Sequence, residues 1–342
     1  MQTMRRVLLV SLCLALAAPL GVLGADAILV NGAGATFPYP IYSKWFDEYH
    51  KAHSNVQINY QSVGSGAGIR QLLSGTVDFG ASDGPMSDEQ LAQAKTKVLH
   101  FPTVLGAAVP TYNIPGVSAE LKFTPGVLAG IFLGTITKWN DPAIAGANPG
   151  VNLPANEIVV VHRSDGSGTT YIWTDYLAKV SDAWKNKVGK GTSVNWPVGL
   201  GGKGNEGVAG LVKQTPNSTG YVELIYAIQN NLSYGRVRNS SGTFVKADLA
   251  SVSAAAAGAV KSMPDDFRVS ITNPPGQAAY PISSFTWLLV PANVQDTSKK
   301  AILKEFLHWM LTDGQKYAEP LAYARLPHEV VDKELKTIAQ IQ

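Results

Sequence analysis

The chain has 342 residues, 45% of them apolar and 15% charged, a balance that describes a folded protein long enough for two ordinary domains and excludes a disordered one. Its formal net charge is +3, and because Arg5 and Arg6 supply +2 of this, residues 25–342 carry +1. A chain so close to neutral has no bulk charge with which to hold nucleic acid or a lipid surface, and this argues against both as partners.

Residues 1–24 read as a secretory signal peptide: Arg5 and Arg6, then an apolar run from Val7 to Leu20, then small residues at Gly24, Ala25 and Ala27. Cleavage is expected between about Gly24 and Ala27. The apolar run is short for a membrane span. The single cysteine, Cys13, lies inside this leader, so the mature chain has neither a disulfide nor a cysteine metal site. Leu12 stands where a lipid-anchored leader would need a small residue.

Ile28-Leu29-Val30 opens the mature chain as a strand and runs into the loop Asn31-Gly32-Ala33-Gly34-Ala35-Thr36-Phe37-Pro38. Ile41, Trp45 and Tyr49, four apart, predict a helix, with Thr36 in position to cap it and Pro38 in its first turn. Val56–Tyr60 alternates as a strand and leads to a second glycine loop, Gly64-Ser65-Gly66-Ala67-Gly68, before a helix with Ile69, Leu72 and Leu73. Val77–Ser82 reads as a short strand ending in a turn at Asp83-Gly84-Pro85. Asp83 therefore falls at the carboxyl end of a strand, the edge at which open α/β sheets bind ligands.

A strand from Phe101 to Val109 precedes Pro110 and Asn113-Ile114-Pro115-Gly116, where a first crossing between two lobes is expected. Ile158-Val159-Val160-Val161 is β-branched throughout and reads as a buried parallel strand. It is followed by His162-Arg163-Ser164-Asp165-Gly166-Ser167-Gly168-Thr169-Thr170 and a helix with Ile172, Trp173, Tyr176, Leu177 and Val180 on one face. Residues 252–261 are alanine-rich and suit a plain surface helix. Ser284–Val290 returns as a strand, and Ile302, Leu303, Phe306, Leu307 and Met310 mark a helix that rejoins the first lobe. The division expected is 25–112 with 278–342 as lobe I and 113–277 as lobe II.

Three strand ends thus carry a hydroxyl among glycines at a helix start: Thr36, Ser65 and Ser167. Glycines let backbone N–H groups approach a ligand, and helix starts offer unpaired donors with a partial positive charge, so each junction suits a small anion. Arg163 adds a cation, which Asp165 can orient. Other motifs fall short. Gly199–Gly204 spells Gly-x-Gly-x-x-Gly with Glu223 downstream, but Pro197 interrupts the strand a dinucleotide site needs, and a plain glycine-rich loop is the better reading. Lys203 is followed by Gly204 where a nucleotidase loop needs Ser or Thr. His50 and His53 lack a third metal ligand, and Asp165 precedes Ser167 where a hydrolase elbow needs glycine.

On the stretches 32–38, 59–66, 77–83, 163–169, 196–204 and 220–223 together, the chain resembles the periplasmic phosphate-binding proteins that feed the phosphate ABC transporter, a likeness running from about residue 28 to about 330. The resemblance implies an α/β, two-lobed periplasmic binding protein fold of type II, each lobe a mostly parallel sheet flanked by helices, joined by two hinge crossings. It implies a monomer without cofactor or metal that binds inorganic phosphate and delivers it to a membrane permease, and no enzymatic activity. Carried over by position, Thr36, Phe37, Ser65, Asp83, Arg163, Ser167, Gly168 and Thr169 bind phosphate, with Asp165 supporting Arg163. Gly66 and Ala67 stand where relatives often have Ser and Gly, and Gly84 where many have Ala; neither change touches Ser65 or Asp83. The alternatives are a secreted phosphatase, for which no activated nucleophile or metal cluster is visible, and a binder of another tetrahedral oxyanion such as sulfate. Against the latter stands Asp83: an ionised carboxylate only accepts hydrogen bonds, and phosphate carries a proton to donate whereas sulfate at neutral pH has none.

Overall fold

The computed structural model describes residues 27–342, and the expected signal peptide at 1–24 lies outside them. The strands, in chain order, are β1 (Ile28–Gly34), β2 (Val56–Ser62), β3 (Phe79–Ser82), β4 (Val98–Asn113), β5 (Lys122–Phe123), β6 (Val159–Arg163), β7 (Leu200–Gly202), β8 (Ser218–Glu223), β9 (Ser233–Tyr234), β10 (Arg236–Arg238), β11 (Phe244–Val245) and β12 (Ser283–Pro291). Nine of them form one sheet in the order β2-β1-β3-β12-β4-β8-β6-β7, with β9 also on β4; β11-β10-β5 form a second, small sheet. Among the described residues, no helix is long and apolar enough to cross a membrane.

The long strand β4 belongs to both lobes. Val98–Ala107 pairs antiparallel with β12, and Ala108–Asn113 pairs antiparallel with β8. The first lobe gathers around β2-β1-β3-β12, where β1 is parallel to both β2 and β3. The second gathers around β8-β6-β7, all parallel. β4 therefore changes partner between Ala107 and Ala108, ahead of the Pro110–Gly116 stretch where the crossing is expected. Pro110 sits within the strand, opposite Tyr221, and its carbonyl accepts from the Gly235 N–H. β12 returns beside the same point, since Ser283 pairs with Ala107. The segment leading back to it touches both lobes: Thr272 and Ser270 bind Asp175, while the Phe267 carbonyl accepts from Trp287 Nε1 and Arg268 pairs with Asp88.

The helical periodicities correspond to buried faces. Ile41, Trp45 and Tyr49 are buried along the helix Tyr39–Ala52, and Ile302, Leu303, Phe306, Leu307 and Met310 along Thr297–Leu311. The two helices pack together through Phe46, Tyr49 and Phe306, with ring centroids 5.2–5.4 Å apart. In the second lobe Trp173, Tyr221, Phe132 and Trp196 form a continuous aromatic stack under β6 and β8. Such rings bury large apolar areas in fixed geometry and hold the strand ends rigid. The alanine-rich stretch is a helix, Leu249–Val260, that buries Ser251, Val252, Ala255 and Ala256.

One irregularity in β4 bears on function. Pro102 has no N–H to give to β12, and the register slips opposite Thr286 and Trp287, leaving Thr103 as the extra residue of a bulge. Bulges re-aim side chains. Here the Thr286 carbonyl accepts from Thr103 Oγ1, and the Thr286 hydroxyl donates to Asp83 at the end of β3.

Candidate functional site

The carboxyl ends of β1, β2, β3, β6 and β7 converge where the lobes meet. Each of β1, β2, β6 and β7 feeds a helix there: Tyr39–Ala52, Ser65–Ser74, Gly168–Val180 and Gly204–Gln214. The structure brings Thr36, Phe37, Ser65, Asp83, Arg163, Ser167, Gly168 and Thr169 together at this junction; Gly168 is buried and the other seven are 3% exposed or less. The lobes touch directly across it. Gly66 N–H donates to the Gly166 carbonyl at 2.9 Å, Asn205 Nδ2 to Thr36 Oγ1 at 2.7 Å, and Tyr226 OH to the Thr36 carbonyl at 2.6 Å.

Gly168 shows how close the approach is. A Cβ there would collide with Ser65 Oγ and lie 2.5 Å from Asp83 Oδ2. Gly64, at φ +92°, takes a backbone conformation that favours glycine and turns the chain into its helix against the Asp165 carboxylate.

The three hydroxyls play different parts. Ser167 is a true helix cap, its Oγ accepting from Thr170 N–H at 3.0 Å. Ser65 is instead the first helical residue after Gly64, and its Oγ accepts from Asp83 N–H at 3.2 Å. Thr36 does not cap its helix: Pro38 occupies the cap position, with Pro40 in the first turn, and no side chain caps that end. The physical reason is that Thr36 Oγ1 is already taken by Asn205, which reaches it with both backbone N–H and Nδ2.

Arg163 is held by a fork. Nε donates to Asp165 Oδ1 at 2.8 Å and Nη2 to Oδ2 at 2.6 Å, while Nη1 donates to Thr169 Oγ1 at 3.3 Å. A guanidinium has five N–H donors, so one on Nη1 and one on Nη2 remain for a ligand. Those two are the pair that grips an oxyanion in bidentate fashion. For Asp165, burial works to raise the pKa, but the Arg163 fork and charge and the Gly204 N–H outweigh it and hold the carboxyl below its ordinary value.

Asp83 is the opposite case. Burial dominates and pushes its carboxyl up from 3.8 to about 7, against the Thr286 hydrogen bond at 2.8 Å, the Arg163 charge and Ser65, with the Asp165 charge adding to the rise. A carboxyl near 7 exchanges its proton at neutral pH.

Sequence reasoning missed Asn205, Thr286 and Tyr226. It also read Gly199–Gly204 as a plain loop. That segment contains β7, parallel to β6, and its end opens the helix Gly204–Gln214 beside Asp165. Pro197 precedes the strand rather than breaking it. Glu223 is buried at the end of β8, where its Oε2 accepts from Ile225 N–H. The histidines are engaged elsewhere: His50 and His53 Nδ1 each meet a backbone carbonyl, and His162 stacks on Trp196. A groove of about 420 Å³ lined by Leu72, Val77, Asp78, Val294 and Lys299 lies apart from the junction and includes none of its residues.

A family model described as a PBP superfamily domain matches residues 22–314. The phosphate-binding protein PstS of Xylella fastidiosa strain Temecula1 is 46% identical over 306 residues, covering 89% of this chain and 83% of the relative. The chain belongs to the PstS phosphate-binding proteins of the PBP superfamily. Within that family, the PstS protein of Pasteurella multocida strain Pm70 is 47% identical over 312 residues, covering 91% and 90% of the two chains. The two-lobed fold is shared with solved structures at lower identity. A high affinity periplasmic phosphate-binding protein, PfluDING, solved with phosphate bound, superposes with a TM-score of 0.70 at 23% identity, covering 91% of this chain and 93% of the other. A phosphate binding protein from Stenotrophomonas maltophilia does so at 0.70 and 18%, covering 91% and 94%.

Proposed function

We propose that this chain binds inorganic phosphate between its two lobes and delivers it to the permease of a phosphate ABC importer, as an exported periplasmic monomer that uses no cofactor and catalyses no reaction. The lobes divide near the boundaries expected at 112/113 and 277/278, with the hinge where β4 changes partner between Ala107 and Ala108 and where β12 returns beside it at Ser283. Family membership and the PstS relatives support the reading. The observation that carries it is the burial together of one cation, one carboxyl and a ring of hydroxyls at helix starts.

A buried phosphate needs each oxygen met, since charge left unpaired out of water is costly. Arg163 supplies two N–H donors, and Thr36, Ser167 and Thr169 each keep a hydroxyl hydrogen because the bonds they make are ones in which the oxygen accepts, while Ser65, whose Oγ accepts from Asp83 N–H, also favours the ionised Asp83 carboxyl beside it. The helix starts add about 0.3–1 kcal/mol each, up to about 2 kcal/mol when buried. Tyr226 contributes through the peptide plane: with the Thr36 carbonyl held by its hydroxyl, the Phe37 N–H of the same trans peptide faces the other way. Asp83 accepts the phosphate proton, and sulfate, having none, meets an unpaired charge.

Closing brings Asn205 and Tyr226 onto Thr36, so the contacts that complete the site also latch the lobes, a hinge motion that the permease can sense. The test is calorimetric titration of the purified chain with phosphate and with sulfate at pH 7.5. Tight phosphate binding with weak or undetectable sulfate binding is expected; equal affinities would overturn the role of Asp83, and no phosphate binding would overturn the function.

A further inference from the structure

We infer that Asn205 is a positioning residue for anion binding: its amide fills one acceptor position on each of the Thr36 and Thr169 hydroxyls and, with its own backbone N–H and Arg163 filling the others, turns both into obligate donors toward the ligand. The inference rests on the phosphate reading of the cleft and deepens it.

Asn205 is fully buried at the start of the helix Gly204–Gln214. Its Oδ1 accepts from Glu223 N–H at 2.9 Å, a backbone donor that cannot reverse its role, so the amide's orientation is fixed. The Nδ2 group then faces the cleft with two hydrogens. One goes to Thr36 Oγ1 at 2.7 Å and the other to Thr169 Oγ1 at 3.1 Å.

A hydroxyl has two acceptor positions and one donor hydrogen. Thr36 Oγ1 accepts a second time from Asn205 backbone N–H at 3.2 Å, and Thr169 Oγ1 a second time from Arg163 Nη1 at 3.3 Å. Both oxygens are therefore saturated as acceptors, and what each has left is its hydrogen. Before an anion arrives, a hydroxyl free to rotate also populates orientations that turn a lone pair into the cleft, and these must be given up on binding. Here that misorientation is removed before the anion arrives, which lowers the cost of ordering the site. Thr169 is polarised from within its own lobe, whereas Thr36 belongs to the other lobe and receives both its bonds across the cleft. Thr36 thus becomes a committed donor only as the lobes close, which couples closure to the polarity of the site.

The experiment is phosphate titration of the wild-type chain, Asn205→Asp, Asn205→Ala, Thr36→Val and the two double variants, with circular dichroism of each without ligand. In Asn205→Asp the carboxylate offers acceptors where the amide offered donors, so both threonine hydroxyls turn toward it and affinity falls by about 30-fold or more. Thr36→Val alone costs about tenfold, less than twofold in the Asn205→Asp background, where the hydroxyl donates to the carboxylate instead of the ligand, and an intermediate amount in the Asn205→Ala background, where the backbone N–H still fills one acceptor position. A merely structural asparagine would leave the cost of Thr36→Val the same in all backgrounds, and that result overturns the inference. So does Asn205→Asp, or the alanine variant where the aspartate does not fold, binding within threefold of wild type. Absence of phosphate binding by the wild-type chain would overturn the functional reading with it; normal wild-type binding with an indifferent Asn205 overturns this inference alone.

Discussion

Asp83→Asn is the substitution that most directly tests how this cleft chooses its anion. The side chain is buried, keeps one oxygen on the Thr286 hydroxyl at 2.8 Å, and turns the other toward Gly168 and Ser65. Asparagine fits the same space, can still accept from Thr286, and replaces the second oxygen with a donor. With phosphate, the variant loses a charge-assisted hydrogen bond, worth about 1.5–3 kcal/mol. That corresponds to roughly a 10- to 150-fold weaker affinity. With sulfate the change has the opposite sign, because a buried carboxylate facing a bare oxygen is replaced by an N–H donor, a gain of similar size. The phosphate-to-sulfate ratio should therefore shrink by roughly 10²–10⁴. The pH dependence gives a second, independent reading. Because burial lifts Asp83 to about 7, acid fills the carboxyl with a proton that it can donate to sulfate. Sulfate affinity of the wild-type chain should rise as pH falls from 8 to 5.5, and that of Asp83→Asn should stay flat. Calorimetry of both proteins with both anions at these two pH values measures all the terms. A ratio unchanged within threefold by the substitution would refute the argument that the ligand's proton is what the carboxyl recognises.

Gly168→Ala should leave each lobe folded but obstruct their approach, since the added methyl would meet Ser65 and Asp83; a loss of phosphate affinity of at least about 100-fold, with small-angle scattering showing a more open particle, is expected. Arg163→Ala removes the cation and leaves Asp165 buried without its fork, so affinity should fall by roughly 30-fold to several thousand-fold in the same titration. Glu334 is fully buried in the helix His328–Thr337, neither carboxyl oxygen finds a partner among the described residues, and burial raises its pKa well above the ordinary value. A carboxyl raised in the folded state favours folding at low pH and loses that contribution as pH rises through and beyond about 4.3, its unfolded value. Thermal melts of Glu334→Leu should accordingly exceed wild type by more at pH 8 than at pH 4, and a gap independent of pH would contradict this.

What was legible in the chain followed from local contrast. Four β-branched residues ahead of Arg163, or three aromatic and aliphatic residues spaced four apart at Ile41, Trp45 and Tyr49, can bury themselves in only one kind of element, and the strand β6 and helix Tyr39–Ala52 are those elements. Proline and glycine near 110–116 signal a break in the strand, whereas β4 runs through Pro110 to Asn113 by keeping its partner on the carbonyl side. Thr36 looked like a cap because caps are local, and the competing donor that claims it, Asn205, is 169 positions away.

The same contrast explains which members of the cleft could be found before the structure was known. Asp83 stands in Phe79-Gly80-Ala81-Ser82-Asp83-Gly84-Pro85, with no cation nearby in sequence. A charge at the end of an apolar strand with no local partner must meet one from elsewhere in the fold or carry its proton, and either outcome marks it as unusual. Asn205 stands in Lys203-Gly204-Asn205-Glu206-Gly207, where an amide among charges looks like ordinary surface. Thr286, between Phe285 and Trp287, looks like an ordinary strand residue. Neither is unusual in its own segment, because the work each does lies in a bond of one lobe or strand to another: Asn205 to Thr36, and Thr286 to Asp83. A residue that binds the ligand must carry chemistry that can be read in its type, whereas a residue that sets the direction of another's hydrogen needs only a common side chain in the right place, so the second kind becomes visible only when the partners' bonds are counted.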